Sequence, residues 1–104
     1  MEKPTTNLSP LELILAERRR QSEKWGEQNH DLMTWNAILT EEVGEFAEAC
    51  LHDKFGGHAA DKVEEECVHV AAVALQILEF IARSCRPVEV RDERGAVALH
   101  AERN

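Results

Sequence analysis

Two stretches of this chain put carboxylates where a helix normally keeps apolar side chains. Glu41, Glu42, Glu45 and Glu48 fall within one predicted helix. Acidic runs ordinarily form a solvated face. On a helical wheel, however, Glu42 falls among Trp35, Ile38, Phe46 and Ala49, near the middle of the apolar stripe, and Glu45 lies on its edge. Glu41 and Glu48 lie toward the polar side. An ionised carboxylate on a core-facing stripe costs several kcal/mol unless it is paired or bound to a metal. Glu42 and Glu45 are three apart, so their side chains converge on one helix face and repel unless a cation lies between them. Oxygen donors of this kind suit Mg²⁺ or Mn²⁺.

A second predicted helix supplies a matching half. Glu64, Glu65 and Glu66 open it, and His69 follows Glu66 by three, sharing a face with Val70 and Val73. The helix dipole alone accounts for Glu64 and Glu65. For His69 two readings stand at this point. A histidine on an apolar face is either a hydrogen-bonded core residue or, opposite an acidic pair, a metal ligand. Zinc held by Cys50 with His52 and Cys67 with His69 is disfavoured, because residues two apart on a helix point about 200° apart.

The elements that position these groups are three helices. Ser9 is an N-cap with Pro10 in the first helical position, and Glu12 completes a capping-box pattern. Helix 1 is predicted to run to about Lys24. Trp25 to Thr34 reads as a loop holding Gly26, Asn29 and Asp31. Thr34 is the expected cap of helix 2, which runs to about Lys54 and is stopped by Phe55, Gly56 and Gly57. Helix 3 begins near Ala59 or Ala60 and ends by Ser84, ahead of Pro87. Residues 1–8 read as a flexible lead-in. The tail, 87–104, shows no useful strand-like alternation and reads as a short helix or a partner-binding segment. The whole chain, 1–104, is taken as one domain.

Helix 3 is apolar nearly all round: Val70, Val73 and Ile77 lie on one side, with Val68, Leu75 and Leu78 roughly opposite. Such a helix is buried on all sides, and three helices cannot surround it. The expected fold class is therefore an all-α bundle completed by homo-oligomerisation, as a homodimer or homotetramer.

The 104 residues carry a formal net charge of -8, with 43% hydrophobic and 31% charged residues. This describes a globular protein and argues against sequence-independent nucleic-acid binding, which needs a basic surface. A phosphorylated ligand stays admissible, since a bound cation reverses the local charge. Cys50, Cys67 and Cys85 are odd in number and lack C-x-x-C spacing, which fits a reducing, cytoplasmic compartment. No signal peptide is read at the N-terminus. The apolar stretch Cys67 to Ala82 is shorter than the roughly 20 residues of a membrane span and reads as a buried helix, with no membrane partner expected.

Glu41-Glu42-Val43-Gly44-Glu45 resembles the E-E-x-x-E motif of MazG-like nucleotide pyrophosphohydrolases. Glu66-Cys67-Val68-His69 occupies the place of that family's second motif, E-x-x-D. Trp25-Gly26-Glu27-Gln28-Asn29-His30 resembles its upstream loop, a Trp followed by Gln-Thr-His. The resemblance covers roughly Leu11 to Ala82, and the short length is similar to that of single-domain members from bacteria and their phages. It implies hydrolysis of a nucleoside triphosphate to monophosphate and pyrophosphate with Mg²⁺ or Mn²⁺. It also implies Glu42, Glu45 and Glu66 as metal ligands with His69 as a fourth, and Glu41 as the residue activating water. Lys54 and Lys62 would meet phosphates, and Trp25, Asn29 and Trp35 would hold the base. One position departs: the E-x-x-D aspartate is His69, whose imidazole adds no negative charge and favours Mn²⁺ or softer ions over Mg²⁺. Two other functions use the same residues. One is a nucleotide-binding or interaction module that has lost catalysis. The other is a di-iron or di-manganese carboxylate bundle, in which Glu66-x-x-His69 is a recurring ligand pattern.

Overall fold

The structure is a computed structural model that describes residues 7–84 in full and the backbone of 86–91 and 97–102. Three helices form the body: α1 (Pro10–Trp25), α2 (Leu32–Phe55) and α3 (Val63–Ser84), with one 3-10 turn, Ala60–Lys62, leading into α3. The lead-in residues 1–6 lie outside the described residues.

Helix α1 starts as its sequence dictates. The Glu12 backbone N–H donates to Ser9 Oγ at 3.2 Å, and the Ser9 N–H donates to Glu12 Oε1 at 2.9 Å. These bonds satisfy donors that a helix start leaves open. It ends at Gly26, whose φ of 70° no other residue adopts cheaply. Helix α2 starts earlier than expected. Its cap is Asp31, not Thr34: the Asp31 carboxylate accepts the Thr34 N–H at 2.8 Å. That bond holds the Asp31 carboxyl below its ordinary pKa. Aspartate outranks threonine as a cap, and a cap three residues upstream adds nearly a turn of helix.

Helices α2 and α3 form an antiparallel hairpin, as three contacts along its length show. Trp35 meets Phe80 at a ring separation of 6.0 Å, Glu42 lies beside His69, and His52 meets Ala59 at the turn. The turn has a specific lock. His52 Nδ1 accepts the Ala59 N–H at 3.1 Å, and the imidazole lies against Gly57 so closely that a Cβ there would sit 2.3 Å from the ring. Helix α1 packs on α3, and Arg18 Nε pairs with Glu79 Oε1 at 2.7 Å. The loop between α1 and α2 is tied down by Arg83, which donates to the Gln28 carbonyl and to Asn29 Oδ1, each at 3.1 Å.

The core is small. Trp35, Ala49, Ala59, Ala72 and Val73 are its buried apolar residues, and Gln21 and Gln76 are buried with them. Helix α3 is not enclosed by the single chain. Val73 is buried and Leu75 half-buried, but Leu78 is 63% exposed. The helical run Ala60–Ser84 is long and apolar enough to cross a membrane by length and composition alone, with 17% of its most apolar window buried. Its Glu66, His69, Gln76 and Glu79 all engage neighbouring side chains instead.

The described residues of the tail form strands where a short helix was expected. Backbone pairing joins β1 (Arg86–Arg91) and β2 (Val97–Glu102) in an antiparallel two-stranded ribbon, Arg86 opposite Glu102 and Arg91 opposite Val97. A period of two is present in the sequence, with Val88 and Val90 in one arm and Val97, Leu99 and Ala101 in the other. Each run is only a few residues long, so it reads weakly until the two arms are paired.

Candidate metal centre

Three of the expected ligands come together. Single donor atoms of Glu42, Glu66 and His69 all lie within 4.8 Å of one another, and each residue is half-buried. His69 Nδ1 is 3.0 Å from Glu66 Oε1 and 3.9 Å from Glu42 Oε2. The antiparallel hairpin brings Glu42 opposite the second turn of α3, and the three-residue spacing puts Glu66 and His69 on one face.

A fourth group, from α1, escaped the sequence reading. Glu17 Oε2 lies 3.7 Å from His69 Nε2, so the imidazole sits among three carboxylates drawn from three helices. Glu17 is held below its ordinary carboxyl pKa chiefly by its hydrogen bond from Arg20 Nη2 at 2.6 Å, with His69 adding a smaller contribution. Glu42 is shifted the other way. Burial pushes its carboxyl up, and the nearby Glu45 charge adds to that, with His69 opposing both. Glu42 Oε2 is buried and accepts no hydrogen bond among the described residues.

Glu17, Glu42 and His69 line a cavity of about 240 Å³. The same cavity is lined by Gln21, Trp25, Gln28 and Gln76, by Arg20, and by the apolar Ile38 and Val73. Gln76 Nε2 donates to Gln28 Oε1 at 3.1 Å, and Gln21 Nε2 donates to Glu17 Oε2 at 3.3 Å.

The remaining expected residues fall elsewhere. Glu45 is exposed and stands outside the ligand trio, although its charge reaches Glu42. Glu41 is exposed on the same helix. Of the three residues expected to hold a base, only Trp25 lines the cavity, and it is 52% exposed. Trp35 is a core residue, 1% exposed, packed against His30 and Phe80. Its position on the apolar stripe of α2 turns it into the α2–α3 interface. Asn29 donates to Glu27 and accepts from Arg83, which makes it part of the loop's internal bracing. Lys54 and Lys62 are exposed near the α2–α3 turn, at the far end of the hairpin from Trp35, and neither lines the cavity.

A second group, Glu48, His52 and His58, also has donor atoms within 4.8 Å of one another. It is a poor metal site. His52 Nδ1 accepts a backbone N–H, which places the ring proton on Nε2 in the neutral form and leaves no free lone pair for a cation. The first group has no such conflict: with the ring proton on Nε2, facing Glu17 Oε2 at 3.7 Å, His69 Nδ1 keeps its lone pair on the side of Glu66 and Glu42. Comparisons with protein-family models, with curated proteins and with solved structures find no match for this chain.

Proposed function

We propose that the chain is a metal-dependent nucleoside triphosphate pyrophosphohydrolase of the MazG-like type, releasing a nucleoside monophosphate and pyrophosphate. The observation that carries this reading is Glu42 Oε2, buried beside Glu66 and His69 and accepting no hydrogen bond among the described residues. An acceptor left without a donor in a buried position costs free energy that a cation would recover. The donor set of two carboxylates and one imidazole fits a divalent ion, with Mn²⁺ favoured over Mg²⁺ by the nitrogen. Glu42, Glu66 and His69 would hold it, and Glu45 would add charge from the rim.

A divalent ion at this site supplies charge neutralisation to the triphosphate oxygens and to the departing pyrophosphate. The chain's own groups do the rest. Glu17, facing His69 Nε2, favours the ring proton there and leaves Nδ1 turned toward Glu42 and Glu66. Arg20 keeps Glu17 ionised beside the imidazole, which adds negative charge to the ligand cage. Glu41, exposed next to Glu42, has its role from the resemblance alone: it would orient the water that attacks the α-phosphorus and receive its proton as the bond to the β-phosphate's bridging oxygen breaks.

The test is a panel of nucleoside triphosphates incubated with Mg²⁺ or Mn²⁺, reading pyrophosphate and monophosphate. Turnover of at least one triphosphate, faster with Mn²⁺, is expected. Tight nucleotide binding without product, with every metal, would replace the hydrolase by a binding module. Bound iron with an oxo-bridge absorption would replace it by a redox bundle.

The reading includes a second copy of the chain. Leu11 and Leu78 are each 63% exposed and Leu15 is 43% exposed, on helices whose other faces form the core. A homodimer, alone or paired into a tetramer, would cover them. Cys50 and Cys67 are free and exposed, which suits a cytoplasmic setting. Light scattering at micromolar concentration is expected to give a dimer or tetramer mass, and Leu78→Glu is expected to shift it to that of a monomer. A monomeric wild-type chain would overturn the assembly.

A further inference from the structure

Arg20 is the one arginine or lysine among the described residues that line the cavity with Glu17, Glu42 and His69. The lysines expected to meet phosphates, Lys54 and Lys62, stand outside it. The guanidinium is held in place. Its Nε donates to Glu17 Oε1 at 2.9 Å and its Nη2 donates to Glu17 Oε2 at 2.6 Å, a two-point fork. Glu17 is the inner partner, with 12% of its side chain exposed, and Arg20 the outer one, with 51% exposed. One edge of the guanidinium is therefore fixed while the side chain stays open to solvent.

A guanidinium carries five N–H groups. Glu17 takes one from Nε and one from Nη2, and no other acceptor bonds Arg20 among the described residues. The second N–H of Nη2 and both on Nη1 are left to offer. A single oxygen sets their place relative to the candidate metal centre: Glu17 Oε2, which accepts from Arg20, lies 3.7 Å from His69 Nε2. A planar fork of N–H donors matches the oxygens of a phosphate, and its fixing by Glu17 reduces the side-chain freedom lost on binding. Glu17 and, at longer range, Glu65 are the acidic groups that act on Arg20. They offset its charge, so its grip on an anion works by contact more than by long-range attraction.

We propose that Arg20 is the phosphate-gripping residue of this site, its open N–H groups donating to the polyphosphate chain of the nucleotide. This rests on the metal and nucleotide reading above and deepens it. Arg20 binds the chain and takes no part in bond making.

The probe is inorganic tripolyphosphate, which has phosphates but neither base nor sugar. It is titrated by calorimetry as its Mn²⁺ complex, with Mn²⁺ alone titrated in parallel. Arg20→Gln, checked for folding by circular dichroism, is expected to weaken binding of the complex by about 10–100-fold, the worth of a charge-assisted hydrogen bond. Mn²⁺ alone is expected to bind that variant no more weakly than the wild type. Arg20→Lys keeps the charge and loses the fork, and is expected to cost about 3–10-fold, as for one ordinary hydrogen bond. It keeps the test valid if Arg20→Gln unfolds. Wild-type affinity for the complex in either variant, or no binding of the complex by the wild type, would overturn the grip. A parallel loss of affinity for Mn²⁺ and for the complex would also overturn it, since Arg20 would then act only through Glu17 on the imidazole. Nucleoside triphosphate turnover whose KM is the same in wild type and Arg20→Gln would overturn the grip and leave the hydrolase standing. Arg20-dependent binding of the complex by a chain that turns over no triphosphate would support the grip and overturn the hydrolase.

Discussion

Replacing Glu42 by Gln is expected to lower metal-dependent pyrophosphate release by at least about 100-fold, and at the same time to raise the melting temperature of the metal-free chain. Groups that merely support a metal ligand are worth about 10–100-fold, so loss of a ligand should cost more. The gain in stability has a separate origin. Burial, and then Glu45, push the Glu42 carboxyl above its ordinary pKa. The folded chain therefore holds that proton more tightly than the unfolded chain does. The stability linked to this proton is present below the unfolded carboxyl pKa and is lost as pH rises through the folded value. At neutral pH the metal-free wild type carries a half-buried charge that glutamine does not. The stability advantage of Glu42→Gln should thus be plain at pH 7 and fade in acid, where Glu42 is protonated in both states. Thermal scans at pH 4 and pH 7, with and without Mn²⁺, check this. A variant that keeps wild-type turnover would remove Glu42 from the metal centre.

Gly57→Ala is expected to be among the most destabilising single changes in the chain. Its Cβ would lie 2.3–2.5 Å from three atoms of the His52 ring, and its φ of 155° belongs to a region that side-chain-bearing residues rarely adopt. Backbone strain and overpacking each cost about 1–3 kcal/mol, so a combined loss of about 2–4 kcal/mol follows. In a chain of this size that is a fall of roughly 10–20 °C in melting temperature. Gly44→Ala is the control, since a Cβ there meets nothing within 4 Å. A Gly57→Ala protein that melts within 2–3 °C of wild type, a shift worth roughly half a kcal/mol, would mean that the turn relaxes without loss.

Much of the helical body was legible in the sequence because its punctuation is chemical. Ser9, Pro10 and Glu12 spell a capping box, Gly56 and Phe55 a stop, and the structure forms both. Glu42, Glu66 and His69 were legible because each stands on an apolar face, where a charge or an imidazole needs a reason. Glu17 and Gln21 satisfy the same criterion: Ile14, Glu17, Gln21 and Trp25 recur at helical spacing on α1. The run of three arginines at Arg18 to Arg20 makes that helix look uniformly charged and masks its polar stripe. Gln28 and Gln76 were not readable in the same way. Their pairing spans 48 positions and depends on how the loop folds over α3, which no local pattern states. Trp35 failed as a binding residue for the reverse reason. Large aromatic side chains serve cores and ligands equally well, and only the position of Phe80 decides between them.

The lock between His52, Gly57 and Ala59 does more than close a turn. It acts as a ruler for the hairpin. Glu42 and the pair Glu66 and His69 stand on opposite arms, and their approach depends on the rotational phase of one helix relative to the other. One residue added to the connection would turn α3 by about 100° and advance it by about 1.5 Å. Helix content would barely change, yet two of the three donors would face away from the third. In this chain, the number of residues between the two acidic helices is therefore a condition on the proposed metal centre as strict as the identity of its candidate ligands, and a turn remote from them enforces it.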